Sequence, residues 1–286
     1  MEQTLHGTHC MALLQSVYPS LSPAEQKVAD AVLKDAEQTV YSSVTDLAEN
    51  SGVGETTVIR FCRKLGFRGF QEFKLSLAQE LVGPSRQVYG QVQEEDDLAT
   101  MVQKITLQNK QALMDTQSLL QESMLERATN ALLAGRNLYF FGVGSSGMTA
   151  MDAEYRFMRL GFQAHFACDA HVIAMHCSLL TRADVVVGIS SSGSTKDLVD
   201  AVRIAKEKGA YIICLTSHAR SPITQYANAV LLSAARESPL QGGAFASKVA
   251  QIHVLDVLAT VVSMRKREET FAAMESTAKA VLDKLY

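Results

Sequence analysis

The sequence predicts two domains of different class. The first is an N-terminal all-α helix-turn-helix domain over residues 1–81, and the second is a C-terminal α/β three-layer domain with a parallel sheet over residues 98–286, with a linker at 82–97. Short amphipathic segments separated by tight turns fill the first eighty residues. The apolar period then stops over a stretch rich in Gly and acidic residues. Beyond residue 137, continuous apolar runs alternate with helical segments, which is typical of a parallel sheet covered on both faces.

The composition is that of a globular protein. The chain has 286 residues, of which 47% are hydrophobic and 20% charged, and its formal net charge is −3. These values exclude a disordered or disulfide-stapled chain. No uninterrupted apolar run reaches the ~18–20 residues of a membrane span, and the first ten residues lack the basic and apolar regions of a secretory signal. The five cysteines are scattered. We therefore expect a cytoplasmic protein with no membrane partner.

The first helices are marked by their N-terminal caps. Ser22 is placed to cap a helix that has Pro23 at its first position and Glu25 three residues beyond the cap. The helix continues with apolar residues at core-facing spacing. A second start lies at residues 43–46, where a serine is again followed three residues later by an acid. Both segments therefore predict short helices with defined beginnings.

A tight turn and a third helix complete a helix-turn-helix pattern. Gly52 lies in the turn, at a position suited to a left-handed backbone. The third helix spans residues 54–65 and is stopped by Gly66. Two short helices joined by a glycine-containing turn are the geometry in which the second helix enters the major groove of DNA. Four apolar residues lie at the positions that would lock the two helices together: Ala48, Val53, Val58 and Phe61.

Charge is distributed unevenly over this domain. Residues 1–55 contain two basic and eight acidic residues, whereas residues 56–78 contain five basic residues and one acid. A local positive region can face a phosphate backbone even when the domain total is negative. Residues at the exposed N-terminal end of the third helix are predicted to meet base edges: Glu55, Thr56, Thr57 and Arg60. Three basic residues further along are predicted to contact phosphates: Arg63, Lys64 and Arg68. The alternative is a small three-helix domain without a DNA partner.

The segment 56–74, TTVIRFCRKLGFRGFQEFK, resembles the DNA-binding domain of the RpiR family of bacterial transcriptional regulators almost residue for residue. The resemblance extends over roughly residues 21–81. It implies that double-stranded operator DNA is a partner. It also implies that the second half is a sugar isomerase (SIS) domain, which binds phosphosugars.

The second half can be interpreted independently. Short apolar runs at 137–141, 183–189, 210–216 and 230–232 predict parallel strands, and glycine- and serine-rich loops follow the first two. Ligands bind beyond the carboxyl ends of such strands. The first loop matches the Gly-x-Gly-x-x-Gly dinucleotide pattern at 142–147, and the spacing to Asp169 does not exclude a nicotinamide site. The second loop favours a phosphate instead, because residues 190–195 place five hydroxyls at one helix N-terminus, where a cap needs only one.

This pair of loops resembles the SIS fold of glucosamine-6-phosphate synthase and its relatives, over about residues 126–262. The resemblance implies that Ser190, Ser192 and Thr195 grip the phosphate with Ser191 between them, and that Ser145 and Ser146 approach the sugar. A third element of the family is similar to Glu237 with Ser247 and Lys248. Gln241 and Lys248 stand where arginines are expected, which leaves the ligand undetermined.

The remaining titratable residues do not predict a metal or a cofactor. Five potential ligands lie close in sequence but at a spacing that fits no common metal site: Cys168, Asp169, His171, His176 and Cys177. His171 is in range of a sugar hydroxyl at the edge of the site, and His253 has the pattern of a packed histidine. No nucleophile signature is present in the sequence.

Two functions of different class agree with these patterns. The first is a transcriptional regulator of sugar or amino-sugar genes, whose DNA binding depends on a phosphosugar effector and which acts as a dimer or tetramer. The second is a phosphosugar isomerase or lyase with an added helical domain. An isomerase requires a base next to a carbonyl. Glu237 is the one well-placed candidate and has no evident acid/base partner, so the helix-turn-helix favours regulation and a non-enzymatic protein.

Overall fold

A computed structural model of the chain describes residues 10–81, 92–234 and 245–284. It contains two compact units, and the boundary between them lies between Gln108 and Asn109. The predicted linker has sixteen residues, 82–97, and its first ten lie outside the described residues. The domain limits 1–81 and 98–286 therefore remain predictions.

The first unit is helical. Its helices up to residue 81 are α1 (Cys10–Val17), α2 (Pro23–Lys34), α3 (Ala36–Tyr41), α4 (Val44–Asn50), α5 (Glu55–Lys64) and α6 (Phe70–Leu81). The predicted caps are confirmed, because Ser22 forms a capping box with Glu25 at the start of α2 and Ser43 forms one with Asp46 at the start of α4. Gly52 has a φ of 62° in the turn between α4 and α5.

The core of this unit is aromatic and aliphatic. Phe73 on α6 makes edge-to-face contacts with Phe61 on α5 and with Phe67, each with ring centroids 5.6 Å apart. The residues predicted to lock α4 to α5 are buried or packed against the core, which confirms that prediction. A buried lysine adds a hydrogen bond to this core. Nζ of Lys74 donates at 2.7 Å to the carbonyl oxygen of Ser42, which is the residue before the N-cap of α4.

Two helices precede the sheet. The apolar periodicity over 98–133 is divided between α7 (Leu98–Leu119) and α8 (Glu122–Ala134), because Gln121 takes an extended conformation. Gly135 ends α8, as predicted. Its lack of a side chain is required by packing, since a Cβ there would lie 2.7 Å from Cγ2 of Val185.

The second unit contains a five-stranded parallel sheet. Its strands are β1 (Asn137–Gly142), β2 (Ala164–Ala167), β3 (Asp184–Ile189), β4 (Tyr211–Thr216) and β5 (Ala229–Leu232), in the order β2-β1-β3-β4-β5. The helices between and after them are α9 (Ser145–Arg159), α10 (Ala170–Leu179), α11 (Lys196–Glu207), α12 (Phe245–Arg265) and α13 (Arg267–Lys279). Every strand pair is parallel.

The sheet separates two apolar cores. One core joins β-strand side chains such as Phe140 to residues of α8, α9 and α12. The other joins residues such as Phe141 to α10 and α11. The predicted three-layer α/β architecture is confirmed. By length and composition α12 is apolar enough to cross a membrane, but its residues Val254, Leu255 and Leu258 belong to the first of these cores, so it is a core helix of the fold.

Candidate functional site

The exposed face of α5 carries the polar side chains that the sequence analysis assigned to DNA. Thr56, Arg60 and Arg63 are exposed and lie at i, i+4 and i+7, which is one face of a helix. The opposite face, with Val58, Phe61 and Cys62, is buried in the core. Because the apolar face anchors the helix, the three polar side chains project away from the unit.

Thr57 does not share this face, and the expectation that it is exposed is wrong. Its side chain lies in the buried set, with 8% of the residue accessible. The period of an α-helix explains the difference, because position 57 is adjacent in projection to the core residue Phe61, four residues on. The guanidinium of Arg60 donates a long hydrogen bond of 3.4 Å to Oγ1 of Thr57. Thr57 therefore lies at the edge of the exposed face, between Arg60 and the core.

Glu55 begins α5 and is half-buried. The hydroxyl of Thr45 on α4 donates to its carboxylate at 2.5 Å. An acid in the first turn of a helix is also stabilised by the helix dipole. Glu55 therefore links the two helices of the motif, and it lies at the end predicted to approach DNA.

Lys64 is the residue whose surroundings differ most from the sequence expectation. Its Nζ donates to the carbonyl oxygen of Ser20 at 2.6 Å and lies 3.3 Å from Oε2 of Glu25. The pKa of Glu25 lies below its usual value, chiefly because the backbone amide of Ser22 donates to it and also because of Lys64. Lys64 thus joins the end of α5 to the beginning of α2. Arg68, by contrast, is exposed over 92% of its side chain and is 3.4 Å from Glu72.

The second group of predicted residues lies where the order of the strands reverses. From β1 the chain moves outward to β2, and then returns to the other side of β1 to form β3. Since α9 and α11 lie on opposite faces of the sheet, the loops after β1 and β3 lead to opposite sides, and ligands of open α/β sheets bind at such a point. The structure therefore brings the two predicted loops to adjacent strands.

The loop after β1 is shaped by its glycines. Gly144 has a φ of 62°, and a Cβ at Gly142 would lie 2.5 Å from the carbonyl oxygen of Ser146. The chain can therefore turn directly into α9, with Ser145 exposed and Ser146 buried at its first positions. Asp169, the acid considered for a nucleotide ribose, caps α10 by accepting from the amides of His171 and Val172 at 3.0 Å.

The loop after β3 is a network of hydroxyls. Ser190 is buried, and its Oγ lies 3.2 Å from Oγ1 of Thr195. The Oγ of Ser192 accepts from the amide of Ser194 at 3.2 Å. Thr195 is the N-cap residue of α11 but makes no side-chain cap bond to it. The first amides of the helix have no intrahelical acceptors, and the hydroxyl of Thr195 lies beside them rather than capping them.

Gly193 holds this loop against the one after β4. Its φ is 61°, and a Cβ there would lie 2.1 Å from Oγ of Ser221. The amide of Ile223 donates to the carbonyl oxygen of Gly193 at 3.0 Å, and the hydroxyl of Thr216 donates to that of Ser191 at 3.2 Å. The conformation of the hydroxyl-rich loop is therefore set by tertiary contacts.

Further hydroxyls that the sequence analysis did not select continue the network. The Oγ atoms of Ser191 and Ser217 lie 3.4 Å apart, and those of Ser217 and Ser233 lie 3.3 Å apart. Ser217 and Ser233 follow β4 and β5, as Ser190 follows β3. Polar residues at successive strand ends are the signal that would have identified them, because those ends meet at one edge of a parallel sheet.

The third predicted element is only partly described. Glu237 and Gln241 lie outside the described residues. Ser247, in the first turn of α12, is buried, and its Oγ has no hydrogen-bond partner within the described parts of the chain. Lys248 donates from Nζ to the carbonyl oxygen of Ser145. The structure thus places the amine of Lys248 at the loop after β1, while the buried hydroxyl of Ser247 retains hydrogen-bonding capacity.

The potential metal ligands between Cys168 and Cys177 do not converge. Cys168 and His171 are exposed, whereas Cys177 is buried in the core, where burial raises the pKa of its thiol to about 12. His176 packs against Tyr139, and burial lowers the pKa of its imidazole. Within residues 10–81, 92–234 and 245–284, no three His, Cys, Asp or Glu side chains are grouped as a metal site requires.

Comparison with known proteins matches both halves of the chain. Residues 8–83 match the helix-turn-helix domain, rpiR family, and residues 132–261 match the SIS domain. An HTH-type transcriptional regulator of Haemophilus influenzae is 35% identical over 94% of both chains. The HTH-type transcriptional regulator HexR of Escherichia coli is 35% identical, over 88% of this chain and 87% of its own.

Among solved structures, the NanR protein of Vibrio vulnificus in complex with ManNAc-6P is similar over nearly the whole chain. The TM-score is 0.87 at 29% sequence identity, and the alignment covers 97% of this chain and 99% of that one. The similarity extends over both the helical region and the α/β region described above.

Proposed function

The chain belongs to the rpiR family of helix-turn-helix transcriptional regulators, and we propose that a sugar phosphate bound at the carboxyl edge of its sheet controls its binding to operator DNA. The observation that carries this proposal is the group of hydroxyls at the N-terminus of α11, in the same chain as a helix-turn-helix whose second helix presents a polar face. Relatives named as transcriptional regulators support the proposed class.

The proposed DNA contacts come from α5 and the residues around it. Thr56 and Arg60, with Glu55 at the helix start, approach base edges, and Arg60 is suited to a guanine. Arg63 and Arg68, both exposed, contact phosphates. Thr57 and Lys64 lie at the border of this surface and stabilise it. Thr57 is buried, and Lys64 is bonded to Ser20 and Glu25.

The proposed effector site combines two loops and the start of α12. Ser190, Ser192 and Thr195, with Ser191 between them, bind the phosphate together with the amides of α11. Ser145 and Ser146 face the sugar, with Lys248 held beside them by its bond to the carbonyl oxygen of Ser145. Glu237 and Ser247 complete the sugar contacts. Charge-assisted bonds from several hydroxyls and amides suit a phosphate dianion.

An amino-sugar phosphate is the first ligand class to test. The similar NanR protein is known in complex with ManNAc-6P, a phosphorylated N-acetyl amino sugar. Its acetamido group takes the place of a hydroxyl and presents one N–H donor and one carbonyl acceptor further from the ring. The hydroxyl of Ser217 lies 3.3 Å from that of the buried Ser233, extends the polar edge of the sheet and supplies a partner for such a group.

The same proposal extends to the localisation, the oligomeric state and the domain limits of the protein. We propose a cytoplasmic protein that does not catalyse a reaction, that binds no membrane and that acts as a dimer or tetramer on two half-sites. We further propose residues 1–81 as the DNA-binding domain, 82–97 as the linker and 98–286 as the effector domain. Glu237 then serves as a ligand to sugar hydroxyls rather than as an isomerase base.

The experiment is a fluorescence-anisotropy titration of the full chain against labelled DNA from the region upstream of its own gene. It is repeated with ManNAc-6P, with other sugar 6-phosphates, with the unphosphorylated sugars and with inorganic phosphate. We expect at least one sugar phosphate to change the operator affinity tenfold or more, and its unphosphorylated form to have no effect. Equal affinity for the upstream DNA and for random DNA would refute the regulatory proposal.

The enzymatic alternative is tested in parallel. Each sugar phosphate that binds is incubated with the protein and followed by proton NMR in deuterated water, because an isomerase exchanges the proton next to the carbonyl. We expect no exchange above the rate without protein. Turnover of a sugar phosphate would overturn the non-enzymatic assignment, whatever the outcome with DNA.

A further inference from the structure

The end of the edge strand β5 is hydrogen-bonded to α7. The amide of Ala234, two residues beyond the strand, donates to Oγ1 of Thr116 at 2.9 Å. The hydroxyl of Thr116 in turn donates to the carbonyl oxygen of Ala112 at 2.6 Å, one turn back along the helix. Thr116 is fully buried, and Ala112 and Thr116 are the two buried residues among the 22 of α7. The bond therefore attaches the buried side of α7 to the carboxyl edge of the sheet.

The helix α7 passes through the boundary between the two units. Its residues up to Gln108 belong to the first unit, and those from Asn109 onward belong to the second. Thr116 lies eight residues beyond Gln108, which is about 12 Å along an α-helix. Because a helix of this length moves as a rigid element, a displacement of α7 at Thr116 also displaces the part of the helix at the boundary.

The segment after β5 is also joined to the hydroxyls after β3. The Oγ of Ser233 lies 3.3 Å from that of Ser217, which lies 3.4 Å from that of Ser191. The backbone follows the same route, because the amide of Ser217 donates to the carbonyl oxygen of Ser191 and the amide of Ser233 to that of Thr216, both at 3.0 Å. Since Ser233 directly precedes Ala234, a contiguous series of hydrogen bonds runs from the proposed phosphate loop to α7.

A phosphate bound at this loop sets the direction of the hydroxyl series. Each serine hydroxyl has one proton to donate, and a phosphate dianion only accepts. Once Ser191 donates to the phosphate, its bond to Ser217 must be one that it accepts. The hydroxyl of Ser217 is then committed to Ser191, so its bond to Ser233 is likewise accepted. The series therefore has one direction, from Ser233 toward the phosphate.

This ordering can move the amide that holds α7. The two O···O distances in the series exceed the ~2.7–2.8 Å of an ordinary O–H···O bond, so each can shorten by about 0.5 Å when the bonds are aligned. Shortening draws Ser233 toward the loop after β3. The planar peptide bond between Ser233 and Ala234 carries this displacement to the amide that donates to Thr116.

We propose that Thr116 couples the effector site to DNA binding, because it passes a displacement of Ala234 on to α7. Thr116 is a positioning residue, since its buried hydroxyl is bonded to Ala234 and Ala112 rather than to a ligand. The inference rests on the proposed function, because it requires a sugar phosphate in the loop after β3. Its own content is the route by which that ligand acts.

The test is the coupling factor of the full chain. This is the ratio of the operator dissociation constants with and without saturating ManNAc-6P, or another sugar 6-phosphate to which the wild type responds. We expect Thr116→Val, which has the same shape but lacks the hydroxyl, to reduce this factor from about tenfold or more to less than about twofold. Coupling is reciprocal, so the effect of operator DNA on the affinity for the sugar phosphate should fall by the same ratio. A purely structural defect lowers stability without equalising these two ratios.

The matched control is Thr129→Val on α8. Thr129 is 1% exposed, and its hydroxyl has no hydrogen-bond partner among the residues that the structure describes. The same substitution there removes no bond of this series, so its coupling factor should equal that of the wild type. Thr116→Ser retains the hydroxyl and should retain the response. Ser233→Ala leaves Thr116 intact but interrupts the hydroxyl series, and we expect it to lower the coupling factor as well.

A second measurement needs no DNA and no change at Thr116. Hydrogen exchange of the Ala234 amide is followed by NMR, and we expect the sugar phosphate to slow it in the wild type but not in Ser233→Ala. Exchange unaffected by a bound sugar phosphate, or a full coupling factor in Thr116→Val, would overturn this inference and leave the proposed function standing. A wild-type protein whose operator affinity responds to no sugar phosphate would instead refute the proposed function, and the inference with it.

Discussion

Single side chains of α5 decide how the motif would read DNA, and Arg60 is the one suited to a base. It is exposed one turn into the helix, with its guanidinium near Thr57. We expect Arg60→Ala to cost about 1–3 kcal/mol on the operator and little on random DNA. Arg63→Ala is the matched control. It should weaken all sequences alike and lower the salt slope by about one. Anisotropy titrations at several salt concentrations measure both, and equal losses of Arg60→Ala on the two DNAs would contradict base reading.

Lys64 illustrates how one contact changes a prediction. From the sequence it is a phosphate contact, but in the structure it joins α5 to Ser20 and Glu25. We expect Lys64→Ala to reduce the free energy of unfolding by about 1 kcal/mol, a value that reflects a pair exposed to solvent on the lysine side. Thermal denaturation measures this, with Arg63→Ala as the control that should not lower the melting temperature. A stable Lys64→Ala protein with a reduced salt slope would restore the phosphate role.

The buried amine of Lys74 makes stability depend on pH. Burial lowers its pKa to about 8 in the folded protein, against about 10.4 in an unfolded chain. Between these values the unfolded state binds more protons, so the contribution of Lys74 becomes more favourable as the pH rises from below 8 to above 10. The thiols of Cys10 and Cys62, whose pKa values burial raises to about 12, act in the opposite sense above pH 9.

Comparison with Lys74→Met separates these effects. The thiols are common to both proteins, so the stability of the wild type relative to the variant should increase between pH 7.5 and 9.5. Denaturant unfolding of the full chain at the two pH values measures this difference. A difference between the two proteins that does not change with pH would show that the pKa of Lys74 is normal in the folded state.

At the scale of elements, the loop after β3 depends on one glycine. Gly193 has a φ of 61°, and a Cβ at this residue would lie 2.1 Å from Oγ of Ser221. We expect Gly193→Ala to displace the loop and to weaken the sugar phosphate at least tenfold, as measured by calorimetry. Gly209→Ala is the control, because it has a similar φ of 88° but meets only the flexible side chain of Arg182. Normal affinity of Gly193→Ala would remove this loop from the site.

The sheet explains why such a loop can be both rigid and polar. Its backbone is held by bonds to the loop after β4, from Ser217 and Ile223, and by the bond from the amide of Ser194 to Oγ of Ser192. The same arrangement leaves Thr195 without a cap bond to α11. The element therefore presents groups that a ligand can use without a rearrangement of the loop.

At the scale of the whole molecule, the two proposed roles lie in different units. We expect the double variant Ser192→Ala/Thr195→Ala to weaken the sugar phosphate at least tenfold, since bonds to a charged group are worth ~1.5–3 kcal/mol. The fold and the DNA affinity without ligand should be unchanged, because loop substitutions away from the core usually cost little. Only the response of operator binding to the sugar phosphate should be lost.

Calorimetry and a gel shift on the same protein measure the two effects. Unchanged affinity for the sugar phosphate would reject the site, and a loss of DNA binding without ligand would reject the separation of roles.

The local features of this protein can be predicted from its sequence. Caps such as Ser22 and Ser43, the turn at Gly52 and the apolar runs of four strands are written in neighbouring residues, because capping, turns and periodicity are short-range effects. The sequence does not predict the short edge strand β2, because a strand of four residues is too short to show a clear periodicity.

The partners of individual polar residues, by contrast, depend on the tertiary structure. The sequence could not show that Lys64 reaches Ser20, forty-four positions away, that Thr57 faces the core, or that Ser217 and Ser233 join the hydroxyls after β3. These features depend on which distant segments meet, and pairing in a parallel sheet is set by the order of its strands rather than by any one of them.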